Sequence, residues 1–146
     1  MTSKGSHHAY DAHYHIVFPV KYRKALLRED ITTYIKEIAQ NIEERYDITF
    51  DQIGCDQNHI HLLTSFPPTM HGGEVVRIFK SITARELFKQ FPDIKKDLWG
   101  GNFWSAGYYF ATVGKRGDWN IVKNYVKKQG VEGNMLGQPH TQLRLL

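Results

Sequence analysis

"ITFDQIGCDQNHIHLLTSF", residues 48–66, decides the fold. Two apolar runs, 48–56 and 59–66, meet at the short polar link "DQN", residues 56–58, which predicts an antiparallel hairpin. Side chains alternate along a strand, so His59 and His61 face the same way while Ile60 turns into the core.

Working outward, "HYHIVFPV" at 13–20 also alternates. Tyr14, Ile16, Phe18 and Val20 face one way and His13, His15 and Val17 the other, which predicts a half-buried strand. "KYRKALL" breaks that pattern with four polar or basic positions. "REDITTYIKEIAQNIEERYD" is helical, with Ile31, Tyr34, Ile35, Ile38 and Ile42 on one face. "EVVRIFKSITARELFKQF" predicts a second helix that buries Val75, Ile78, Phe79 and Ile82 and ends at Pro92. On another ridge, Arg77, Ser81, Arg85 and Lys89 recur every four residues, flanked by Lys80.

"FWSAGYYFATVG" predicts a fourth strand. Asp118 caps a last helix, "WNIVKNYVKKQ", which Gly130 stops. The order strand, helix, strand, strand, helix, strand is that of an α+β, ferredoxin-like (RRM-like) fold. Its antiparallel βαββαβ sheet carries both helices on one face. The other face is expected to stay free for a ligand, and the C-terminal helix packs elsewhere, across that face or on a partner.

The chain has 146 residues, which suits a single domain over 1–146 with a core of about 10–130 and short tails. Its net charge of +4 and pI near 9.1 permit nucleic-acid binding. One cysteine, Cys55, excludes a disulfide framework within the chain and a Cys-rich zinc site, and the expected compartment is the reducing cytoplasm. No apolar run approaches the ~20 residues of a membrane span.

Two neighbouring imidazoles can ligate one divalent metal through neutral nitrogens, although an isolated H-x-H is more often a pair of surface histidines. Tyr125 and Gln129 add to the case. They are four apart on the last helix and share a face. Gln129 offers an amide oxygen suited to Mg²⁺ or Mn²⁺, and a tyrosine one turn from a metal ligand suits a phenolate nucleophile.

With these residues in place, the chain resembles the single-tyrosine HUH transposases of insertion-sequence-200-like elements. The resemblance spans roughly residues 10–130. "HYHIVFPVKYRKALL" resembles the family's first strand and basic turn, "NHIHLL" its HUH motif, and "LWGGNFWSAGYYFATVG" its fourth-strand block. "VKNYVKKQ" resembles the segment bearing its tyrosine and third metal ligand. The resemblance implies that Tyr125 is the nucleophile and that His59, His61 and Gln129 hold Mg²⁺ or Mn²⁺. It implies cleavage and rejoining of single-stranded DNA through a 5′-phosphotyrosine, with recognition of hairpins at the element's ends. No nucleotide cofactor is expected, in keeping with the lack of a G-x-x-x-x-G-K-[ST] loop. It further implies a homodimer in which the tyrosine helix of one subunit can complete the site of the other, and the two glycines of "GKRGD", residues 114–118, suit a joint that lets Tyr125 move between cis and trans sites.

The sequence departs from the family at Asn58, where an acidic residue is usual. Asp56, three before His59, is not expected to take its place. His13 and His15 have no counterpart in the family's metal site and are expected on the strand surface or facing DNA. Expected DNA contacts are Lys21, Arg23 and Lys24 in the basic turn, with Tyr22 stacking on a base, and Arg77, Lys80 and Arg85 on the second helix.

Three alternatives stand beside this reading. One is a domesticated relative that processes repeated genomic palindromes. Another is a metal hydrolase without a covalent intermediate. The third is a non-catalytic nucleic-acid-binding module, for which "GYYFATV" would supply stacking aromatics.

Overall fold

The computed structural model describes residues 12–113. The expected last helix, and with it Tyr125, Gln129 and the 114–118 joint, lies outside the described residues.

Six main elements follow the expected order: β1 (His13–Pro19), α1 (Glu29–Arg45), β2 (Thr49–Cys55), β3 (His59–Ser65), α2 (Gly72–Gln90) and β4 (Tyr109–Val113). The sheet order is β2-β3-β1-β4, and every neighbouring pair is antiparallel. This is the split βαβ arrangement, in which β3 is inserted between β1 and β2.

Register fixes which side chains share a face. Opposite β1, Ile16 pairs with Leu62, Val17 with His61, Phe18 with Ile60 and Pro19 with His59. Ile16, Phe18, Ile60 and Leu62 lie in one core with Ile31, Ile35, Ile38 and Ile42 of α1 and Val75, Ile78, Phe79 and Ile82 of α2. Each such side chain stabilises the fold by about 1.5–3 kcal/mol on burial. Arg77, Ser81, Arg85 and Lys89 form the exposed ridge of α2 that their spacing predicts. Asp30 lies in the first turn of α1, where its carboxylate complements the helix dipole and accepts from the Ile31 N–H at 2.9 Å.

Two expectations need correction. β1 is not half-buried, because His15 and Val17 on its second face are buried as well as Ile16 and Phe18. That second face is therefore buried as well: His61 and Leu63 are fully buried and Val113 is 5% exposed. Val17 and Leu63 lie beside His15 and His61 on this face, and their apolar surface gains by leaving water. The fourth strand is also shorter than expected. Trp104 forms only an isolated bridge to Val20, and the regular strand begins at Tyr109.

The segment between them is held by side chains. Lys80 Nζ donates to the Ser105 and Gly107 carbonyls at 2.7 and 2.8 Å. Trp104 Nε1 donates to Thr83 Oγ1 at 2.8 Å, and that hydroxyl donates to the Phe79 carbonyl at 2.7 Å. At the start of α2, Gly72 lets the Phe110 ring lie directly over the backbone, and a Cβ there would push that ring aside. No helix among the described residues is long and apolar enough to cross a membrane.

Replacing Thr83 with valine keeps its shape and removes the acceptor for a buried indole N–H. The expected loss is about 1–3 kcal/mol of unfolding free energy, read by urea denaturation.

Candidate active site

The hairpin between β2 and β3 turns over Asp56–Asn58, closed by the Asp56 N–H donating to the His59 carbonyl at 2.9 Å. The Asp56 carboxylate accepts from the Gln57 N–H at 3.1 Å. Val20 N–H donates to the Asn58 carbonyl at 2.8 Å, and Leu27 N–H to the Gln57 carbonyl at 3.0 Å. The tip is thus clamped by backbone on both sides of the basic turn.

His59 and His61 leave β3 on the same face, with ring centroids 5.0 Å apart, and both are buried. The Asn58 side-chain oxygen lies 2.7 Å from His59 Nδ1. An amide oxygen only accepts, so Nδ1 carries the proton and, in the neutral ring, Nε2 keeps its lone pair. That Nε2 faces Asp56 Oδ2 at 3.5 Å. A protonated ring makes this contact an ion pair, and a neutral ring leaves two electron-pair donors of the kind a divalent ion takes. Among the described residues no group of three or more His, Cys, Asp or Glu could hold a metal. The expected third ligand, Gln129, lies outside them.

Two corrections follow. Asp56 was not expected to act in place of the missing acidic residue at 58, yet the turn folds its carboxylate back onto His59. Asn58 in turn fixes which nitrogen of that ring is protonated.

The "HYH" pair also differs from expectation. A register shift between Phe50 and Gln52 bulges β2 at Asp51, and such bulges re-aim side chains. Asp51 Oδ2 accepts from His13 Nδ1 at 3.2 Å, so His13 is half-buried and engaged within the sheet. His15 is only 4% exposed. Its Nε2 lies 3.3 Å from His61 Nδ1, and Tyr109 meets its ring edge-on at 6.1 Å. Desolvation lowers the His15 pKa to about 4. Periodicity puts His13 and His15 together on one face of β1, and the pairing of β1 with β3 is what carries that face to His61.

The expected DNA contacts divide. Lys21, Tyr22, Arg77 and Lys80 line one groove of about 740 Å³, together with Trp104, Tyr108 and the 105–107 backbone. Tyr22 is 54% exposed and Tyr108 45%. Tyr22 and Arg23 have φ of 60° and 52°, a left-handed conformation that costs a non-glycine residue energy and is found often at functional sites. Lys80 is committed to two carbonyls, and burial pushes its pKa down. Arg23, Lys24 and Arg85 are exposed, and none of them is part of this groove's lining.

Residues 8–129 match the family described as "Transposase IS200 like". The ISDra2 transposase TnpA of Deinococcus radiodurans is 31% identical over 126 residues, covering 86% of this chain and 89% of that protein. A transposase for insertion sequence element IS200 from Salmonella typhimurium is 30% identical over 130 residues, covering 89% and 84%. A transposase crystal structure from Deinococcus radiodurans superposes with a TM-score of 0.65 at 26% identity, over 80% of this chain and 89% of that one. A REP-associated tyrosine transposase bound to a REP hairpin shares the fold, with a TM-score of 0.60 at 10% identity, over 85% and 69%.

Burial of a neutral His15 sets a pH dependence. Between its unfolded value near 6.5 and about 4, the unfolded chain binds the extra proton and the folded chain does not. Stability contributed here is intact above pH 6.5, falls as pH drops and levels off below 4. In EDTA, wild type should lose about 3 kcal/mol more than His15→Gln between pH 7 and 4, read by urea unfolding.

Proposed function

Since the chain belongs to the IS200-like transposase family, we propose that it cleaves and rejoins single-stranded DNA through a covalent tyrosine intermediate. The observation that carries this reading is the pair of buried imidazoles on β3. One of them has its Nδ1 held by Asn58 and its Nε2 facing a carboxylate.

His59 and His61, with Gln129 from the C-terminal segment, would hold Mg²⁺ or Mn²⁺, and Asp56 supports His59. When bound, such an ion supplies charge neutralisation and orientation of the scissile phosphate. Tyr125 is the nucleophile. Its phenol gives up its proton, its oxygen forms a bond to phosphorus, and the bond from phosphorus to the 3′-oxygen breaks. That oxygen takes up a proton and leaves as a 3′-hydroxyl. The 5′-phosphotyrosine keeps the energy of the phosphodiester, so a later 3′-hydroxyl attacks it and rejoins the strands without a nucleotide cofactor. The reading includes a homodimer in which the tyrosine segment of one subunit completes the site of the other, with residues 114–118 as the joint.

The groove beside the basic turn takes the DNA backbone. Lys21 and Arg77 are its charged contacts and Tyr22 its stacking ring. Lys80 shapes the wall by holding the 105–107 segment. The hairpin in the related complex belongs to that protein; for this chain, hairpin DNA from the element's own ends is the proposed ligand.

A denaturing gel with end-labelled single-stranded DNA from those ends is the direct test. Wild type should give a metal-dependent covalent adduct on the 3′-side fragment, lost in EDTA and in Tyr125→Phe. Cleavage that survives Tyr125→Phe would point to a hydrolase. Tight binding without cleavage would point to a binding module. Lys21→Ala and Arg77→Ala should each weaken hairpin binding across sequences and reduce its salt slope by about 1.

A further inference from the structure

His15 and His61 meet in an arrangement that the cleavage chemistry above does not use. Register pairs His15 with Leu63 and Val17 with His61, so the two histidines are diagonal neighbours on one face of the sheet. Their ring planes differ by 19° and their centroids are 5.5 Å apart, while the facing nitrogens are 3.3 Å apart. The centroid distance exceeds the N···N distance by about the width of one imidazole ring. The rings therefore meet edge to edge in nearly one plane. That is the geometry of an N–H···N hydrogen bond and not of a face-to-face stack.

A hydrogen bond between two neutral imidazoles has two forms. If His15 donates from Nε2, His61 accepts at Nδ1 and carries its own proton on Nε2, which then has no lone pair for a cation. If His61 donates from Nδ1, its Nε2 keeps the lone pair. His59 shows the second pattern, with Nδ1 tied to Asn58 and Nε2 turned to a cation-seeking carboxylate. Ligating histidines generally donate their other ring N–H to a fixed acceptor.

We propose that His15 is the positioning residue for His61. His15 Nε2 accepts the His61 Nδ1–H, which sets the tautomer and the ring plane and leaves His61 Nε2 as the nitrogen offered to a divalent cation. The metal half of this inference rests on the function proposed above; the tautomer half does not. β1 is well placed to hold the acceptor still, because it is hydrogen-bonded on both sides and Tyr109 fixes the ring edge.

The test uses the full-length chain labelled with ¹⁵N-histidine. The tautomer of His61 is read first by long-range ¹H–¹⁵N NMR in EDTA, and Mn²⁺ affinity and paramagnetic broadening are read afterwards. Wild type and His15→Gln, whose amide oxygen still accepts, should both hold His61 protonated on Nδ1 and bind Mn²⁺ with similar affinity. His15→Phe fills the ring volume without an acceptor. It should shift His61 toward the Nε2–H form and weaken Mn²⁺ about 10–100-fold. His15→Asn, too short to reach, supplies the same comparison if the phenylalanine variant does not fold. An Nε2–H tautomer of His61 in wild type would overturn the proposal, as would variants without an acceptor that match wild type in both readouts. An Nδ1–H tautomer without Mn²⁺ broadening at His59 and His61 would overturn the metal-site reading instead, and the two failures are separable because the tautomer is read before metal is added.

Discussion

Two backbone hydrogen bonds hold the arrangement together: Val20 N–H to the Asn58 carbonyl and Leu27 N–H to the Gln57 carbonyl. They fasten the tip of the β2–β3 hairpin to the chain on either side of the basic turn. Asp56, Asn58 and His59 all sit at or beside that tip. Without the clamp, a short polar turn would be free to sway, and donors that must stay within tenths of an ångström would not hold their spacing. The same clamp ties site to groove. Pro19 pairs with His59, and Lys21 lines the groove two residues later, at most about 7 Å along an extended chain.

The order of elements was legible because each carries its own period. Ile31, Ile35, Ile38 and Ile42 spell a helix face, and Ile16 and Phe18 alternate as a strand should. The face shared by His59 and His61 follows from the same rule. What could not be read were relations between distant residues. Asp56 looked misplaced by sequence counting, since the tight turn that returns it to His59 is a matter of backbone path. His15 looked like a surface residue because nothing in residues 13–20 states which strand will lie beside them. Burial of the second sheet face was likewise left open, since alternation tells the two faces apart without saying what becomes of either. Tyr125 and Gln129 were legible only as a spacing, and the described residues end before them.

The basic residues illustrate what a count of charges leaves unresolved. Seven positions were expected to contact DNA, and four meet in one groove. Of those four, Lys80 uses its ammonium to hold two carbonyls, an internal task that a count of charges cannot reveal. The left-handed backbone at Tyr22 and Arg23 is a separate feature that charge does not predict, since neither residue gains this conformation cheaply.

The position of β1 in the sheet also governs how the chain acquires its shape during synthesis. β1 is an inner strand, yet both of its neighbours come later: β3 at residues 59–65 and β4 at 109–113. At about 5–20 residues per second, β1 leaves the ribosome on the order of 5–20 s before its last partner exists. Until β3 emerges, roughly halfway through that interval, the run "HIVFPV" carries unpaired backbone on both edges and apolar side chains on both faces. The pairing of β1 with β3 that brings His15 to His61 becomes available first, and the sheet is complete only when β4 joins. A nascent chain stalled before β4 leaves one long edge of β1 open, the kind of surface that holding chaperones bind and that drives aggregation when they are scarce.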